Sequence, residues 1–196
     1  WNINGAPDKA KSLLASAKTA CPAAYDRATN PNKGIVWDLA QTATNQKASV
    51  LIKTAMDAAG IVMKFNFIPS GQYYSTVMDT AKQNDISTAG WGADWANAST
   101  VIPPLFIKDA GFNLSQNWDD PAYAAFKAKS DKALGEVNRT KQAAMWKELA
   151  QYAMDQYWII RPVFSKGQGV WGSKVGGVYY WEPQGTYGFG GLYVKA

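Results

Sequence analysis

The sequence predicts an α/β fold, on three observations. Ile35 to Ala40 reads as an apolar strand, Asn45 to Ala59 as an amphipathic helix, and Ile61 to Phe67 alternates as a second strand. Strand, helix and strand with joints this short form a βαβ-type unit. Two long helical patterns follow, Pro121–Leu134 and Thr140–Tyr157. From Lys166 the composition shifts, and 9 Gly fall within 166–196. A chain of 196 residues suits one domain, or one domain with a tail.

The elements read in order as follows. Asp8 to Lys18 carries Ala10, Leu13, Leu14 and Ala17 at helical spacing, with Pro7 placed for a first turn. Residues 19–34 read as loop, punctuated by Cys21-Pro22, Asn30-Pro31 and Lys33-Gly34. The Asn45 helix puts Ala48, Leu51, Ile52, Ala55, Met56 and Ala59 on one face, and Gly60 ends it. Pro69 to Lys82 reads as a helix with Tyr73, Val77 and Thr80 in register. Asp85 to Trp91 is a short strand, followed by a small-residue turn at Gly90–Trp95. Val101 to Ile107 is a short helix interrupted by its prolines. The Thr140 helix aligns Trp146, Leu149, Ala150, Ala153 and Tyr157, and Trp158 to Phe164 returns to strand. The tail is expected to form short strands and turns.

Composition excludes several chemistries. There is no His, so imidazole proton relays and His-based zinc sites are absent. Cys21 is the single Cys, which leaves no disulfide framework and no CxxC motif. Asp119-Asp120 before Pro121 suits helix capping better than metal binding. The net charge is +5, carried by 17 Lys and 3 Arg with no basic run. Nucleic-acid binders cluster their basic residues, so no nucleic-acid partner is expected. No apolar stretch approaches the roughly 18–20 residues that cross a bilayer. The chain begins at Trp1 rather than Met. That start is expected of a processed product or an excised piece.

The segment with most chemical content is Ser87 to Trp95. It sets Asp94 between Trp91 and Trp95, in a Gly-rich turn just past a strand end. In open α/β sheets, ligands favour the crevice beyond the strand carboxyl ends. A carboxylate there can take a charge-assisted hydrogen bond from an ammonium, and indoles can add apolar area and a cation–π face. The same residues also suit a structural role, with both indoles in the core and Asp94 capping the region at Val101. Local chemistry does not separate the two.

The order of motifs resembles the C-terminal part of the family 5, oligopeptide- and dipeptide-type, solute-binding proteins of ABC importers. Pro7-Asp8-Lys9-Ala10-Lys11-Ser12-Leu13-Leu14-Ala15-Ser16-Ala17 resembles the family's "DPxKAKxLLAEAG" helix. Ala59-Gly60-Ile61 is similar to its "LGI", and Gly90-Trp91-Gly92-Ala93-Asp94-Trp95 to its "GWxADY" turn. Pro104-Leu105-Phe106 and Asn117-Trp118-Asp119-Asp120-Pro121 resemble its "LF" and "NY.dP" passage, and Glu148 to Phe164 its following helix and strand. Each motif alone is weak, but together they run the length of the chain.

The resemblance implies one lobe of a type II periplasmic-binding-protein-like fold, a mixed sheet flanked by helices with a C-terminal tail. Residues 1–165 would be the second lobe, and 166–196 a tail returning to the first. It implies no catalysis, cofactor or metal. The expected partners are a small-molecule or peptide ligand, the first lobe of the same full-length chain, and the permease subunits of an ABC importer. The expected compartment is extracytoplasmic, periplasmic or on the cell surface. The membrane would be met only through a lipid anchor on a preceding N-terminal segment. By the family match Asp94 would bind a peptide's α-amino group and Trp91 would line the same cleft, with Trp95 beside it. Thr88 stands where some members carry an arginine that meets the peptide carboxylate, and Ala98 where many have proline. Tyr73 and Tyr74 fall on a segment that lines the cleft in some members.

Two other functions stay open. An oligosaccharide receptor of the same fold would use the 9 Trp and 10 Tyr for stacking, with Tyr179-Tyr180-Trp181 as a platform. Packing against the first lobe accounts for the same cluster. A glycosidase needs paired carboxylates, and the chain has only Glu136, Glu148 and Glu182 as glutamates, with Glu148 on a predicted helix.

Overall fold

The computed structural model describes residues 5–112, 116–160, 169–181 and 185–196. Two compact units divide the chain, Trp1–Ala89 and Gly90–Ala196. The expected boundary near residue 165 falls in the second unit and outside the described residues; Trp1 and Glu182 also lie outside the described residues. Among the described residues no helix is long and apolar enough to cross a membrane.

In the first unit α1 (Pro7–Ala20) starts on Pro7, where a missing N–H leaves no bond unmade. The stretch expected to be loop contains a second helix, α2 (Pro22–Thr29). Pro22 starts it rather than breaking structure, again from the first turn. Exposed Cys21 is the joint: its N–H bonds Ala17 O at 2.8 Å and its carbonyl accepts from Tyr25 N–H at 2.9 Å. Asn30, ahead of Pro31, is extended and ends α2.

β1 (Ile35–Ala40), α3 (Ala43–Ala59) and β2 (Met63–Ile68) realise the expected βαβ unit. The strands are parallel, with Ile35 opposite Met63 and Ala40 opposite Ile68. Thr42 caps α3 by accepting the Asn45 N–H at 3.1 Å. Gly60, at φ 83°, closes it, with Ile61 N–H on Met56 O and Gly60 N–H on Asp57 O. The inward face of α3 runs through Ser49, Ile52, Met56 and Ala59. Leu51, expected on that face, is 74% exposed, and Ala55 is exposed beside it.

The helix expected over Pro69–Lys82 is shorter. One 3₁₀ turn at Ser70–Gln72 leads into α4 (Tyr73–Val77). Just beyond it, the Asp79 carboxylate accepts the Ala81 N–H at 3.0 Å, a local turn that competes with helix. Tyr73 and Val77 are buried, and Thr80 is exposed. β3 (Ile86–Ser87) is likewise shorter than expected, because only Trp37 and Asp38 of β1 face it. The sheet order is β2-β1-β3, all parallel. This sheet is therefore parallel rather than mixed, and the antiparallel pairs lie in the tail. Its three carboxyl ends share one edge.

In the second unit α5 (Ile102–Phe106) begins with Pro103 and Pro104 in its first turn, so the prolines initiate this helix. α6 (Tyr123–Gly135) and α7 (Arg139–Asp155) pack against each other and α5. The core comprises Ile102, Phe106, Ile107, Phe126, Ala133, Trp146, Leu149 and Ala153. Ahead of α6, Asp120 accepts the Ala122 N–H at 2.7 Å and the Trp158 indole N–H at 3.1 Å. Trp146, Leu149 and Ala153 are buried as expected. Tyr157 leaves their stripe, since the backbone turns left-handed there (φ 58°) and the side chain is 82% exposed. Trp158–Ile160 forms no strand, and the rest of that expected strand lies outside the described residues.

The tail forms short strands and turns, as expected. β4 (Val175–Gly176) pairs with β7 (Tyr193–Val194), and β5 (Tyr179–Trp181) with β6 (Thr186–Gly188), both antiparallel. Gly188 faces Tyr179, whose ring lies 2.1 Å from where a Cβ on residue 188 would stand. Only glycine lets that ring lie on the neighbouring strand.

Candidate functional site

The first unit builds its candidate site at the carboxyl edge of the sheet. β3 ends beside the middle of β1, opposite Trp37 and Asp38, so that Thr88 just past its end meets Trp37 and Tyr73 of α4, with Tyr74 next to Tyr73. Asp38 is fully buried (0% exposed). One carboxylate oxygen accepts from Asn66 Nδ2 at 2.8 Å and Asn84 Nδ2 at 2.7 Å, and the other from the Asn84 backbone N–H at 2.8 Å. The charge thus ties β2 and the approach to β3 onto the central strand. A second carboxylate, Asp85, pairs with Arg27 at 2.6 Å and accepts the Val36 N–H at 2.8 Å.

Tyr73 is core, and its hydroxyl is spent on backbone. It accepts the Thr88 N–H at 2.7 Å and offers its proton to the carbonyls of Thr88 at 2.8 Å and Asp38 at 3.1 Å. Tyr74 is exposed, with its ring edge-on to Tyr73 at 5.5 Å. Thr88 is exposed, and its Oγ1 accepts the Trp37 indole N–H at 3.0 Å.

Burial raises the Tyr73 phenol above the usual tyrosine range, against its hydrogen bonds to Thr88. The folded chain therefore holds this proton more tightly than the unfolded chain. Its contribution is full below the unfolded value of about 10 and is lost as pH rises through the folded one. Denaturant titrations of wild type and Tyr73→Phe test this. Wild type should lose extra stability above about pH 10, and the variant should lack that loss. At neutral pH the variant should be less stable by about 1–3 kcal/mol, because it leaves Thr88 backbone groups unpaired.

The second unit carries Trp91, Asp94 and Trp95 on the turn after Gly90. Trp91 is half-buried; its indole N–H donates to Thr100 O at 2.6 Å and its ring meets Phe112 at 4.8 Å. The Asp94 backbone N–H donates to Thr100 Oγ1 at 3.3 Å, so Thr100 fixes the turn at two points. Asp94 is exposed, and its carboxylate takes no hydrogen bond or ion pair from any described residue. It does not cap the Val101 region; Asn97 does, accepting the Ser99 N–H at 2.8 Å. Trp95 is 61% exposed. Of the two indoles, then, Trp91 is partly structural and Trp95 is exposed.

Gln142, buried on α7, holds this turn from behind. Its Oε1 accepts from Asn97 Nδ2 at 2.8 Å and from Arg139 at 3.0 Å, and its Nε2 donates to Ala133 O at 3.0 Å. An open groove of about 550 Å³ follows directly on Trp95, with Ala96, Ala98, Val101, Ile102 and Trp146 among its lining. Glu136 and Glu148 line another groove, of about 400 Å³, with Lys129, Lys132 and Lys141. There Glu136 closes the turn before α7 by accepting the Asn138 N–H at 2.8 Å. Among the described residues no three His, Cys, Asp or Glu side chains are grouped to hold a metal ion.

Of the residues the sequence singles out, Tyr74, Thr88, Asp94 and Trp95 are exposed, Trp91 is half-buried and Tyr73 is core; the groups behind them were not legible. Trp37, Asp38, Asn97, Thr100 and Gln142 position the site but stand in no local motif. The candidate residues fall in both units: Tyr73, Tyr74 and Thr88 in the first, Trp91, Asp94 and Trp95 in the second.

No family model matches the chain, and no curated protein sequence does. Among solved structures it is similar to the crystal structure of an oligopeptide ABC transporter (substrate-binding domain) from Bacillus anthracis str. Ames. The sequence identity is 17% and the TM-score 0.67, over 97% of this chain. The chain spans 35% of the length of that protein. This likeness shows the fold, a parallel sheet with flanking helices as found in a substrate-binding domain.

Proposed function

We propose that this chain captures a solute for an ABC-type importer, outside the cytoplasm and without catalysis. It would be the second lobe of a longer family 5 receptor, with 166–196 returning to the first lobe. The permease subunits would read the liganded form, and a lipid anchor on a preceding segment would hold the receptor at the membrane. The ligand is a peptide or another solute with a cationic amine. The observation that carries this reading is the exposed Asp94 carboxylate, unpaired among the described residues, on a turn that also bears Trp91 and Trp95. An anion held ready on a fixed backbone suits an ammonium partner. Trp91 and Trp95 supply indole surface beside it. In the first unit, taken by itself, Thr88 and Tyr74 are candidate ligand contacts. Tyr73 acts through Thr88, whose backbone it holds.

The test is peptide titration of the full-length protein, wild type against Asp94→Asn. The variant should bind about 10- to 150-fold more weakly, the equivalent of one charged hydrogen bond. Unchanged affinity would remove the amine anchor.

A second reading has its own observation. Tyr179 and Trp181, about half exposed and on the same face of β5 by strand alternation, offer ring surface that suits stacking on sugar rings, with Tyr180 on the other face. An oligosaccharide receptor of the same fold would bind in a glycan screen and ignore peptides.

A further inference from the structure

The hydrogen bonds around Thr88 fix what that residue can say to a ligand. Its backbone N–H and carbonyl are both held by the Tyr73 hydroxyl, at 2.7 and 2.8 Å. An indole N–H can only donate. The 3.0 Å contact from Trp37 Nε1 therefore makes Thr88 Oγ1 the acceptor. That bond occupies one lone pair and leaves the hydroxyl proton uncommitted among the described residues. The side chain is exposed at the carboxyl end of β3, where open α/β sheets place their ligands.

We propose that Thr88 is a specificity-determining group that donates one neutral hydrogen bond to an uncharged oxygen of the ligand, with Trp37 and Tyr73 as its positioning residues. This rests on the solute-binding reading above and sharpens it. A guanidinium at this place would select a carboxylate through paired charged bonds. A single hydroxyl makes no such selection. The favoured ligand therefore carries a carbonyl acceptor for Thr88 and needs no free carboxylate to satisfy it. Trp37 contributes by polarity: with its N–H on Oγ1, the hydroxyl cannot turn its proton inward.

The experiment is calorimetry on the full-length protein with di- to pentaalanine, each as free acid and as C-terminal amide. Wild type should bind acid and amide within about 3-fold of each other. Thr88→Val, which keeps the shape and loses the hydroxyl, should weaken both forms about 3- to 10-fold, the range of one neutral hydrogen bond. Thr88→Ser should restore binding, and Trp37→Phe should weaken both forms like Thr88→Val. Thr88→Arg should shift preference toward the free acid, a change that a merely structural role would not produce. The Trp37 indole N–H resonance reports the lock independently, and it should move in Thr88→Val. Peptide binding that is unchanged in Thr88→Val overturns this inference alone. So does a wild-type preference for the acid above 10-fold that Thr88→Val abolishes. Failure of wild type to bind any of these peptides overturns the peptide reading, and this inference with it.

Discussion

Asp38→Ala should destabilise the first unit by about 3 kcal/mol or more, measured by chemical denaturation. The carboxylate is fully buried and accepts three N–H donors, from Asn66, the Asn84 side chain and the Asn84 backbone. A hydrogen bond to a charged group contributes about 1.5–3 kcal/mol net, and a buried donor left unmade costs about 1–3 kcal/mol. Some of that sum is offset, because the variant no longer desolvates a charge. Asp38→Asn should cost much less. Its carbonyl can take the Asn84 backbone N–H, and its amide can donate to Asn66 and Asn84 once those side chains rotate by 180°. Equal losses in the two variants would mean that the charge itself, rather than the set of acceptors, holds the sheet. Asp38→Ala should also loosen Thr88, because Asn84 leads the chain into β3.

The residues that proved legible are those whose partners are near in sequence. Gly60 ends α3 from within one turn, so that helix and its two strands read nearly to their bounds, although the Thr42 cap places the start at Ala43 rather than Asn45. Pro22 and Pro103 were misread because a proline interrupts a helix from its interior and starts one from its first turn. Sequence alone does not say which end it occupies. The α3 face was rotated because apolar residues surround much of the helix, and only packing shows that Ser49, not Leu51, turns inward. β3 is shorter than its run of small uncharged residues suggests, because a ladder lasts only as long as its neighbour faces it. Asp38 sat unnoticed inside an apolar run. Its donors come from Asn66 and Asn84, which no local pattern connects to it. Asp94 was legible as an isolated carboxylate between indoles. The bracket behind it, Thr100, Asn97 and Gln142, was not.

Phe126→Ala should cost the second unit about 3–5 kcal/mol, the usual range for a fully buried phenylalanine. Phe126 on α6 is 0% exposed and central to an aromatic cluster. Its ring meets Phe106 at 5.8 Å, Tyr152 at 5.9 Å and Trp158 at 5.2 Å. Three separate segments, α5, α7 and the residue after α7's exit turn, therefore close on one side chain. Those rings cannot collapse into the gap without leaving their own contacts, so the cavity term stays large. Phe126→Leu retains most of the volume and should cost clearly less. A loss below about 1 kcal/mol for the alanine variant would show that this cluster is not the core of the unit.

On the proposed function, Asp94 anchors a cationic amine. The most direct measurement is a cycle of four titrations on the full-length protein. Wild type and Asp94→Asn each meet the same alanine peptide with a free and with an acetylated amino terminus. In wild type, acetylation should weaken binding about 10- to 150-fold, because it removes the charge that the carboxylate meets. In Asp94→Asn the two peptides should bind alike, since the partner of that charge is already gone. Wild type binding both peptides equally, or Asp94→Asn keeping the full preference for the free amine, would contradict the account.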